Sequence, residues 1–441
     1  MRVKPDEVMD VLREHMLVDG FDVVIDLKAS QGNTIVDARN GEKYLDFFSF
    51  FASNPLGFNH PKMVTPETKE RLLTAAIQKP SNSDFYTVEM AEFVGTFFEK
   101  AVPANTFKYI FLIEGGALAV ENALKAAFDW KVRKNFAKGY REEKGHQILH
   151  FRQAFHGRTG YTLSLTNTAD PRKTQYFTQF KWPRVLNPKI TFPLTEENLE
   201  KVKRAEKESL EQIKRALHEN KDDIAAIIIE PIQGEGGDNH FRKEFLQALR
   251  RICDENDLLL IFDEVQTGVG ITGKWWAFEH FGVVPDIMSF GKKTQVCGIV
   301  ATERIDEVEN NVFHESSRIN STWGGNLVDM VRSTRYLEVI DEDDLVGNAA
   351  RTGEYLFSRL QELQEEFPEH MANVRARGLF AAFDMRTPEL REKVLQEAFA
   401  RKMIILRSGV QSIRFRPSLT VTRAEIDEGI ERLRQSIRAA V

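Results

Sequence analysis

Five short runs of consecutive apolar residues occupy the middle of the chain, between about residue 85 and residue 330. They are KYIFLI (108–113), HQILHF (146–151), IAAIIIE (224–230), LLLIFD (258–263) and DIMSFG (286–291). Polar residues do not alternate with apolar ones in these runs, which indicates that both faces of each predicted strand are covered. A helical period or a glycine-rich turn follows each run. The pattern therefore predicts an α/β fold with a mostly parallel sheet between helix layers.

The segments on either side of this region have a different character. Before residue 60, the stretch NTIVDARNGEKYLDF predicts a hairpin with Asn40 and Gly41 at its turn. After about residue 330, helical stretches lead into short strands and a last helix, which is typical of a smaller α+β domain. We therefore divide the chain into an N-terminal segment (1–60), a large domain (61–330) and a C-terminal small domain (331–441).

Charge and composition argue against several classes of protein. The net charge of −6 and the lack of a dense Lys/Arg block do not fit a nucleic-acid-binding protein. The longest apolar runs are too short to span a bilayer, and the charged N-terminus lacks the apolar region of a signal peptide. The two cysteines, Cys253 and Cys297, cannot build a disulfide framework. We therefore expect a soluble cytoplasmic protein with no nucleic-acid and no membrane partner.

A glycine turn follows the first of the predicted strands. In FLIEGGALAVENALK the strand ends at Ile113 and a helix begins near Ala117. Backbone N–H groups at such a helix start are unpaired and carry the positive end of the helix dipole, so they can hold a phosphate. Taken alone, the same pattern also fits an ordinary strand–helix turn that needs glycine for its backbone.

Asp263 and a pair of lysines lie at the ends of two later strands. Asp263 is at the carboxyl end of an apolar strand, where open α/β sheets bind their ligands. A buried carboxylate needs a partner there: a cationic ligand atom, a structural ion pair or a helix cap. Lys292 and Lys293 follow Gly291, where a solvated turn is the simplest alternative. Pyridoxal phosphate requires a lysine for its aldehyde, an anion for its ring nitrogen and donors for its phosphate, so the three features together suggest a site for it.

A glycine pattern in the same region offers a different interpretation. Gly268, Gly270 and Gly273 spell G-x-G-x-x-G, the fingerprint of an NAD-dependent oxidoreductase. That motif should close a strand directly and open a long helix. Here DEVQT separates the strand from the glycines, and KWWAFEHFG leaves room for barely two helical turns. We interpret the pattern as a chance match.

Three histidines could form a metal site. His146, His150 and His156 lie close together in HQILHFRQAFHG. The segment is predicted to run from a strand into a loop, and no carboxylate or cysteine cluster lies nearby to complete a ligand shell. We interpret these histidines as packing residues and as supports of neighbouring groups, and we predict no metal.

Six motifs, spread in order over nearly the whole chain, carry a family resemblance. They are EGGALAVENALKAAF, FHGRTGYTLS, EPIQGEGG, LLIFDEVQTG, PDIMSFGKK and STWGGN. Together they resemble the class III, or ω-, aminotransferases, which are fold-type I pyridoxal-phosphate enzymes. The resemblance implies a large domain with a mostly parallel sheet between helices and a smaller α+β domain built from the N- and C-terminal segments. It also implies the cofactor pyridoxal 5'-phosphate and a homodimer with shared active sites.

Four stretches point to one subgroup of that family. QKPSNSD, GGALAVENALKAAFDWK, FGKKTQVCG and NSTWGGNLVDM are similar to the enzymes that transfer the ε-amino group of L-lysine to 2-oxoglutarate. That activity yields L-glutamate and 2-aminoadipate 6-semialdehyde, which cyclises to piperideine-6-carboxylate. Ornithine and 4-aminobutyrate aminotransferases share the cofactor residues and remain alternatives. Gly-Gly-Ala in the phosphate turn and KTQVCG after the lysine depart from the commoner family pattern, but both resemble this subgroup.

The resemblance also implies roles for individual residues. Lys292 ends the frame D-x-x-x-x-G-K that begins at Asp286, so it is the catalytic lysine that binds the cofactor aldehyde. Lys293 is off that frame, and adjacent side chains of an extended segment point to opposite faces. The other implied cofactor contacts are Asp263 to the pyridinium nitrogen, Gln266 to the ring 3-oxygen, Gly116 and Ala117 to the phosphate, Phe155 to the ring face, and Thr322 to the phosphate of the neighbouring subunit's cofactor.

The two predicted substrates make opposite demands on one site. L-Lysine presents its ε-amine with its carboxylate far away, whereas 2-oxoglutarate has a carboxylate beside its reacting carbon. The resemblance implies that Arg414 binds that carboxylate and that Glu235 can mask Arg414 by pairing with it. Our hypothesis is a switch in which Glu235 pairs with Arg414 while lysine reacts and swings away for 2-oxoglutarate. Arg158 is our candidate for the distal carboxylate of lysine, and a structural arginine at the sheet edge is the alternative. Asn320 and Ser321 complete the predicted substrate contacts.

Overall fold

The computed structural model describes residues 2–441, and the predicted hairpin is among its first elements. A short helix, α1 (Val8–Arg13), precedes β1 (Thr34–Val36) and β2 (Lys43–Asp46). The two strands pair antiparallel, and Gly41 has a φ of 75° in the turn between them. Glycine adopts such a backbone without steric cost, which explains why a glycine occupies this turn. The predicted hairpin is therefore confirmed.

The large sheet has seven strands in the order β3-β9-β8-β7-β6-β4-β5. Neighbours from β5 through β8 are parallel, whereas β9 runs antiparallel to both β3 and β8. Only residues 291–296 separate β8 from β9, which is too short for the crossover that a parallel pair requires. The five predicted strands are confirmed, and β5 and β9 are additional. The bounds are β3 (Tyr109–Ile113), β4 (Gln147–Phe151), β5 (Arg184–Val185), β6 (Ile224–Ile229), β7 (Leu259–Asp263), β8 (Ile287–Phe290) and β9 (Cys297–Ala301).

Helices cover both faces of this sheet, which explains why its strands are apolar throughout. In β7, Leu259 and Ile261 pack into the cluster that contains the alanines of α5, while Leu260 and Phe262 pack into the cluster on the other face. Within residues 2–441, no helix combines the length and the hydropathy that a membrane span requires. The remaining helices are α2 (Ser49–Ala52), α3 (Pro66–Ile77), α4 (Val88–Thr96), α5 (Gly116–Ala137), α6 (Gly160–Leu165), α7 (Glu196–Glu219), α8 (Lys243–Glu255), α9 (Leu327–Glu342), α10 (Leu345–Glu366), α11 (Pro388–Ala400) and α12 (Arg423–Ala440).

Two small sheets lie outside the large sheet, and one of them joins the two ends of the chain. One is antiparallel, with the order β10-β11-β14-β13, and the other has the order β1-β2-β12. In the second sheet β12 runs parallel to β2, with Met403 opposite Leu45, so the C-terminal segment completes the N-terminal hairpin. The α/β fold and a smaller α+β part built from both ends are thus confirmed, while boundaries at residues 60 and 330 stay a prediction. The bounds are β10 (Met371–Arg377), β11 (Phe380–Met385), β12 (Met403–Ile404), β13 (Leu406–Ser408) and β14 (Ser412–Phe415).

Candidate active site

A cavity of about 580 Å³ opens at the carboxyl ends of β6 and β7, beside the turn that follows β8. It is lined by residues from several separate segments of the chain, which the parallel sheet brings together at one edge. The predicted site residues among them are Gly116, Ala117, Phe155, Arg158, Asp263, Gln266 and Lys292. Most of the predicted cofactor contacts therefore face one space.

Asp263 is buried at the end of β7 and is held by three donors. Its Oδ2 lies 2.8 Å from Nδ1 of His156. Its Oδ1 accepts hydrogen bonds from the Val265 N–H at 3.1 Å and from the Ser289 hydroxyl at 3.2 Å. Within residues 2–441, the other ring nitrogen of His156, Nε2, is buried without a hydrogen-bond partner. These contacts fix the carboxylate at the cavity wall, and they make His156 the support of Asp263.

Glu230 is a cavity residue that the sequence analysis does not single out. It follows β6, is 5% exposed, and accepts hydrogen bonds from the N–H groups of Phe155 and Gly234, each at 2.9 Å. Burial raises the pKa of Glu230 to about 7, and the nearby charge of Asp263 acts in the same direction. Its sequence signal is the same as that of Asp263, namely an acidic residue directly after a strand that is apolar throughout.

Lys292 begins a single 3₁₀ turn, Lys292–Thr294, which Gly291 separates from β8. Its φ of 54° lies in the left-handed region, a strained conformation that proteins retain mainly at functional sites. Gln295 holds the turn, because its Nε2 donates to the carbonyls of Ser53 at 2.7 Å and of Lys292 at 3.0 Å. Burial lowers the pKa of the Lys292 amine to about 8, against the opposing charge of Asp263. Near physiological pH this amine is therefore neutral in a larger share of molecules than an ordinary lysine is.

Lys293 corrects one step of the sequence argument. The segment is a 3₁₀ turn and not an extended strand, and Lys293 is 2% exposed instead of solvated. Its Nζ donates to the backbone carbonyl of Gln266 at 2.8 Å, and burial lowers its pKa well below the ordinary value. The two lysines still diverge, because successive residues of a 3₁₀ turn point about 120° apart. Only Lys292 lines the cavity.

The first residues of α5 form another part of the cavity wall. Gly115 has a φ of 99°, and a Cβ atom on Gly116 would lie 2.9 Å from Cγ1 of Val265. A Cβ atom on Gly157 would lie 2.5 Å from the Cβ of Ala117. Glycine at these positions therefore lets neighbouring segments approach closely. The N–H groups of the first helical turn have no carbonyl partner within the helix, and this arrangement suits an anionic group.

Gln266 connects the cavity with two buried arginines, Arg414 in β14 and Arg416 just after that strand. Its Oε1 accepts from Nη1 of Arg414 at 3.2 Å and from Nη2 of Arg416 at 3.0 Å. Arg416 in turn pairs with the buried Asp238. Because two guanidinium groups demand an oxygen at that position, the amide orientation is fixed, and Nε2 of Gln266 is the end that remains to donate elsewhere.

Glu235 and Arg414 are not paired in this structure, and the masking of Arg414 while lysine reacts stays a prediction. Glu235 Oε1 instead accepts from Lys173 Nζ at 2.5 Å and from the Thr168 hydroxyl at 2.8 Å. Arg414 is 3% exposed and uses Gln266 as its side-chain acceptor. Lys173 lies 62 residues before Glu235 in the chain, so no local pattern connects the two.

Asn320, Ser321 and Thr322 do not reach this cavity from within the same chain. Asn320 and Thr322 are exposed, and none of the three lines the cavity. Their loop is attached to the segment before α4 through Lys79, whose Nζ lies 4.5 Å above the Trp323 ring. The roles predicted for these residues therefore require a second subunit.

The histidines of the alternative metal site have protein partners. His150 Nε2 accepts from Nε of Arg184 at 3.0 Å, while His156 contacts Asp263. In the part of the chain that the structure describes, no group of three or more His, Cys, Asp and Glu side chains is placed to hold a metal ion.

The glycines of the G-x-G-x-x-G pattern serve packing. Cβ atoms on Gly270 and Gly273 would lie 3.2 Å from Val346 and 3.0 Å from Ala350, both on α10. No helix longer than the 3₁₀ turn Ala277–His280 follows them before β8. The pattern therefore lacks the helix start that binds a dinucleotide phosphate.

Comparison with known proteins gives a consistent result over the full length. The family described as Aminotransferase class-III matches residues 18–437. The chain is 51% identical to an L-lysine-epsilon aminotransferase of Mycobacterium tuberculosis, over 98% of this chain and 96% of that protein. It is 32% identical to a 4-aminobutyrate aminotransferase of Kluyveromyces lactis, over 94% of this chain and 90% of that protein. The solved structure of lysine aminotransferase from M. tuberculosis superimposes with a TM-score of 0.97 at 50% identity, covering 100% of both chains.

Proposed function

This chain belongs to the class III aminotransferases, and from that membership we propose that it transfers the ε-amino group of L-lysine to 2-oxoglutarate. The products are L-glutamate and 2-aminoadipate 6-semialdehyde, which cyclises to piperideine-6-carboxylate. The observation that carries the proposal is the much closer likeness to a protein named for lysine than to one named for 4-aminobutyrate. Ornithine and 4-aminobutyrate are the alternative amino donors.

The cofactor is pyridoxal 5'-phosphate, and the cavity fits it in three respects. It offers the amine of Lys292, the fixed carboxylate of Asp263 and the free N–H groups at the start of α5. When bound, this cofactor supplies an aldehyde carbon that takes up an amino group and a ring that withdraws electrons from it. We assign Lys292 to the aldehyde, Asp263 to the pyridinium nitrogen, and Gly116 and Ala117 to the phosphate.

Gln266 and Phe155 would complete the cofactor contacts. The Oε1 atom of Gln266 is engaged by Arg414, which leaves Nε2 to donate to the 3-oxygen of the ring. Phe155 lines the cavity and we assign its side chain to the face of the ring. His156 supports the site indirectly, because its contact with Asp263 orients that carboxylate and stabilises its charge.

We assign proton transfer to Lys292. A lysine accepts a proton only in its neutral form, and burial already favours that form. Nζ of Lys292 would take a proton from the substrate carbon that carries the transferred amino group. It would deliver that proton to the cofactor's aldehyde carbon, which receives the amino group. Lys293 takes no part in this transfer, because its Nζ is bound to the carbonyl of Gln266.

We expect kcat to rise with pH, with the midpoint of the rise near about 8, the pKa of Lys292. The active form is the neutral amine, which predominates above the pKa, so a lowered pKa moves the rise down from the ordinary value of 10.5. The measurement is kcat at saturating L-lysine and 2-oxoglutarate between about pH 6 and pH 10. A rise centred near the ordinary lysine value would contradict the assignment.

Arg158 and Arg414 are the two cations that we assign to substrate carboxylates. Arg158 is exposed and lines the cavity, so it can meet the distal carboxylate of an extended diamino acid. Arg414 is 3% exposed, and its contact with Gln266, which lines the cavity, supports the assignment. A guanidinium group can bind a carboxylate through two parallel hydrogen bonds, which are strong where water is excluded.

The two arginines should affect different substrates. We expect Arg158→Ala to raise the KM for L-lysine about 10- to 100-fold and to leave the KM for 2-oxoglutarate within about twofold, because a hydrogen bond to a charged group contributes ~1.5–3 kcal/mol. We expect Arg414→Ala to show the reverse pattern. Steady-state kinetics with each substrate varied in turn measures both values. Equal effects of either variant on the two substrates would show that the assignment is wrong.

We further propose a homodimer in which Thr322, Asn320 and Ser321 of one subunit approach the cavity of the other. Exposed apolar side chains occur in this loop and in the segment that Lys79 begins, as is typical of an interface. Phe85 is 72% exposed, Tyr86 is 82% exposed and Trp323 is 45% exposed. Sedimentation at micromolar concentration should give twice the 50.6 kDa mass of one chain. The free, buried cysteines support a location in the cytoplasm.

A product assay tests the proposed reaction directly. The purified protein is supplied with 2-oxoglutarate and with L-lysine, L-ornithine or 4-aminobutyrate in parallel, and glutamate and cyclic imine are followed. We expect the highest kcat/KM with L-lysine, together with the six-membered imine. A preference for ornithine, with a five-membered imine, would keep the cofactor assignments and overturn the choice of substrate.

A further inference from the structure

The backbone around Glu235 is clamped, so only its side chain is free to change position. Its carbonyl accepts a hydrogen bond from the Gly409 N–H at 2.8 Å. On the next residue, Gly236, a Cβ atom would collide with the carbonyl of Gln153. The segment is therefore packed against other backbone on both sides. Any rearrangement at Glu235 must consist of a rotation of its carboxylate.

The carboxylate of Glu235 is only half satisfied. Lys173 Nζ and the Thr168 hydroxyl both donate to Oε1, at 2.5 Å and 2.8 Å. Within residues 2–441, the other oxygen, Oε2, is buried without a hydrogen-bond partner, and so is Nε of Arg414. A buried donor and a buried acceptor are thus both unpaired in the same region, and each carries a free-energy cost that pairing would remove.

The negative charge of Glu235 acts on the guanidinium group of Arg414. Gln266 Oε1, which accepts from Arg414, also packs against the Cα of Gly234, the residue before Glu235. Burial lowers the pKa of Arg414, and the negative charges of Asp238 and Glu235 oppose this shift. Glu235 therefore contacts one cation, Lys173, and its charge acts on a second, Arg414.

Lys173 is positioned by its own turn, independently of Glu235. It ends the 3₁₀ turn Pro171–Lys173, which begins with a proline and is capped by the Asp170 side chain. Asp170 also pairs with Nε of Arg172 at 2.9 Å, which stabilises the turn. The Lys173 side chain is 32% exposed, so it can be changed without opening the core.

We propose that Lys173 is the resting partner of Glu235 and that it keeps Arg414 open for a carboxylate of the second substrate. The inference deepens the function proposed above and rests on it for the role of Arg414. Lys173 is then a positioning residue, since it acts on the substrate through Glu235. Without Lys173, Glu235 would be left with Arg414 as its cation, and a masked Arg414 cannot bind a dicarboxylate.

The expected loss of affinity for a dicarboxylate follows from the fraction of molecules in which Arg414 is not paired with Glu235. If loss of Lys173 lowers that fraction to about one in ten, the affinity for a dicarboxylate falls about tenfold. The probe is glutarate, a five-carbon dicarboxylate without the reactive keto group, titrated into the cofactor-loaded protein by calorimetry. We expect Lys173→Ala to raise the Kd of glutarate about tenfold. Lys173→Arg, which keeps the cation, should stay within about threefold of the unaltered protein.

A double-mutant comparison separates this role from a merely structural one. In Glu235→Ala the masking group is absent, so adding Lys173→Ala should change the Kd of glutarate by less than about twofold. An unchanged Kd in Lys173→Ala alone would overturn the proposal. The same tenfold loss in both backgrounds would also overturn it, because Lys173 would then bind the dicarboxylate directly or support the fold. Thermal melting of each variant accompanies the titrations.

The lysine product assay and the glutarate titration can fail separately. If L-lysine is not a donor but Lys173→Ala still weakens glutarate binding only in the presence of Glu235, the proposed donor is wrong and the inference about Lys173 holds. If L-lysine is the donor and Lys173→Ala binds glutarate normally, the inference alone is wrong. If Arg414→Ala binds glutarate normally, the assigned role of Arg414 fails, and the inference about Lys173 fails with it.

Discussion

Lys292→Ala is expected to lower kcat by about four orders of magnitude while the protein stays folded. The substitution removes the amine that we assign both to the cofactor aldehyde and to proton transfer, and no other amine lines the cavity among the described residues. Lys292 makes no hydrogen bond through Nζ in residues 2–441, so alanine leaves no buried partner unpaired. Single-turnover measurement of glutamate formation and a thermal melt together give the loss of rate and the stability.

Lys293→Met is the matched control for this experiment. Lys293 is the adjacent, more deeply buried lysine, and methionine preserves much of its volume. The variant loses the hydrogen bond to the Gln266 carbonyl, which should lower the free energy of unfolding by ~1–3 kcal/mol. We expect its kcat to stay above about a tenth of the original. A loss of rate as large as that of Lys292→Ala would show that the two lysines are assigned the wrong way round.

Asp263→Asn should produce the second large effect, a decrease in kcat of about 10²- to 10³-fold. Asparagine keeps the shape of the side chain and can still accept from the Ser289 hydroxyl, but it removes the negative charge beside His156. The pyridinium nitrogen then loses the negative charge that we assign to it as a partner. Electron withdrawal by the ring is weaker as a result. The measurement is kcat with saturating substrates, together with the absorbance of the bound cofactor to confirm equal loading.

Asp286→Asn is the corresponding control at the other end of the sheet. Asp286 precedes β8 and is 6% exposed, the same as Asp263. It pairs with Arg250 at 2.9 Å and with Arg304 at 3.3 Å, and it does not line the cavity. We expect a lower melting temperature and a kcat within about threefold of the original. If both aspartate substitutions lowered kcat by the same factor, the effect of Asp263→Asn would come from lost stability and not from the site.

Several features of the site could be predicted from the sequence because their signals are local. The five strands are apolar throughout since helices cover both faces, and this pattern is visible in runs of a few residues. Asp263 ends one such strand and Lys292 lies two positions after the end of another, and strand ends gather at one edge of a parallel sheet. Glu230 has the same signal after β6 and could have been found by the same argument.

Other features could not be predicted because they depend on contacts between distant parts of the chain. His156 lies 107 residues before its partner Asp263, and Gln266 lies 148 residues before Arg414. In the structure Glu235 contacts Lys173, which lies on a turn that no sequence pattern connects to Glu235. Two adjacent lysines usually indicate a solvated turn. Lys293 is buried instead, because its Nζ donates a hydrogen bond to the backbone carbonyl of Gln266.

The sequence by itself determined the class of fold, the residues at the strand ends and, through its motifs, the family. These properties depend on apolar periodicity, on turn residues and on residue identity, which act over short distances along the chain. Only the tertiary structure decided which charged groups pair, because burial and distance determine the free energy of each pair. The choice of Glu235 between Lys173 and Arg414 is of this second kind, since it is a competition between two cations that only the folded chain brings together.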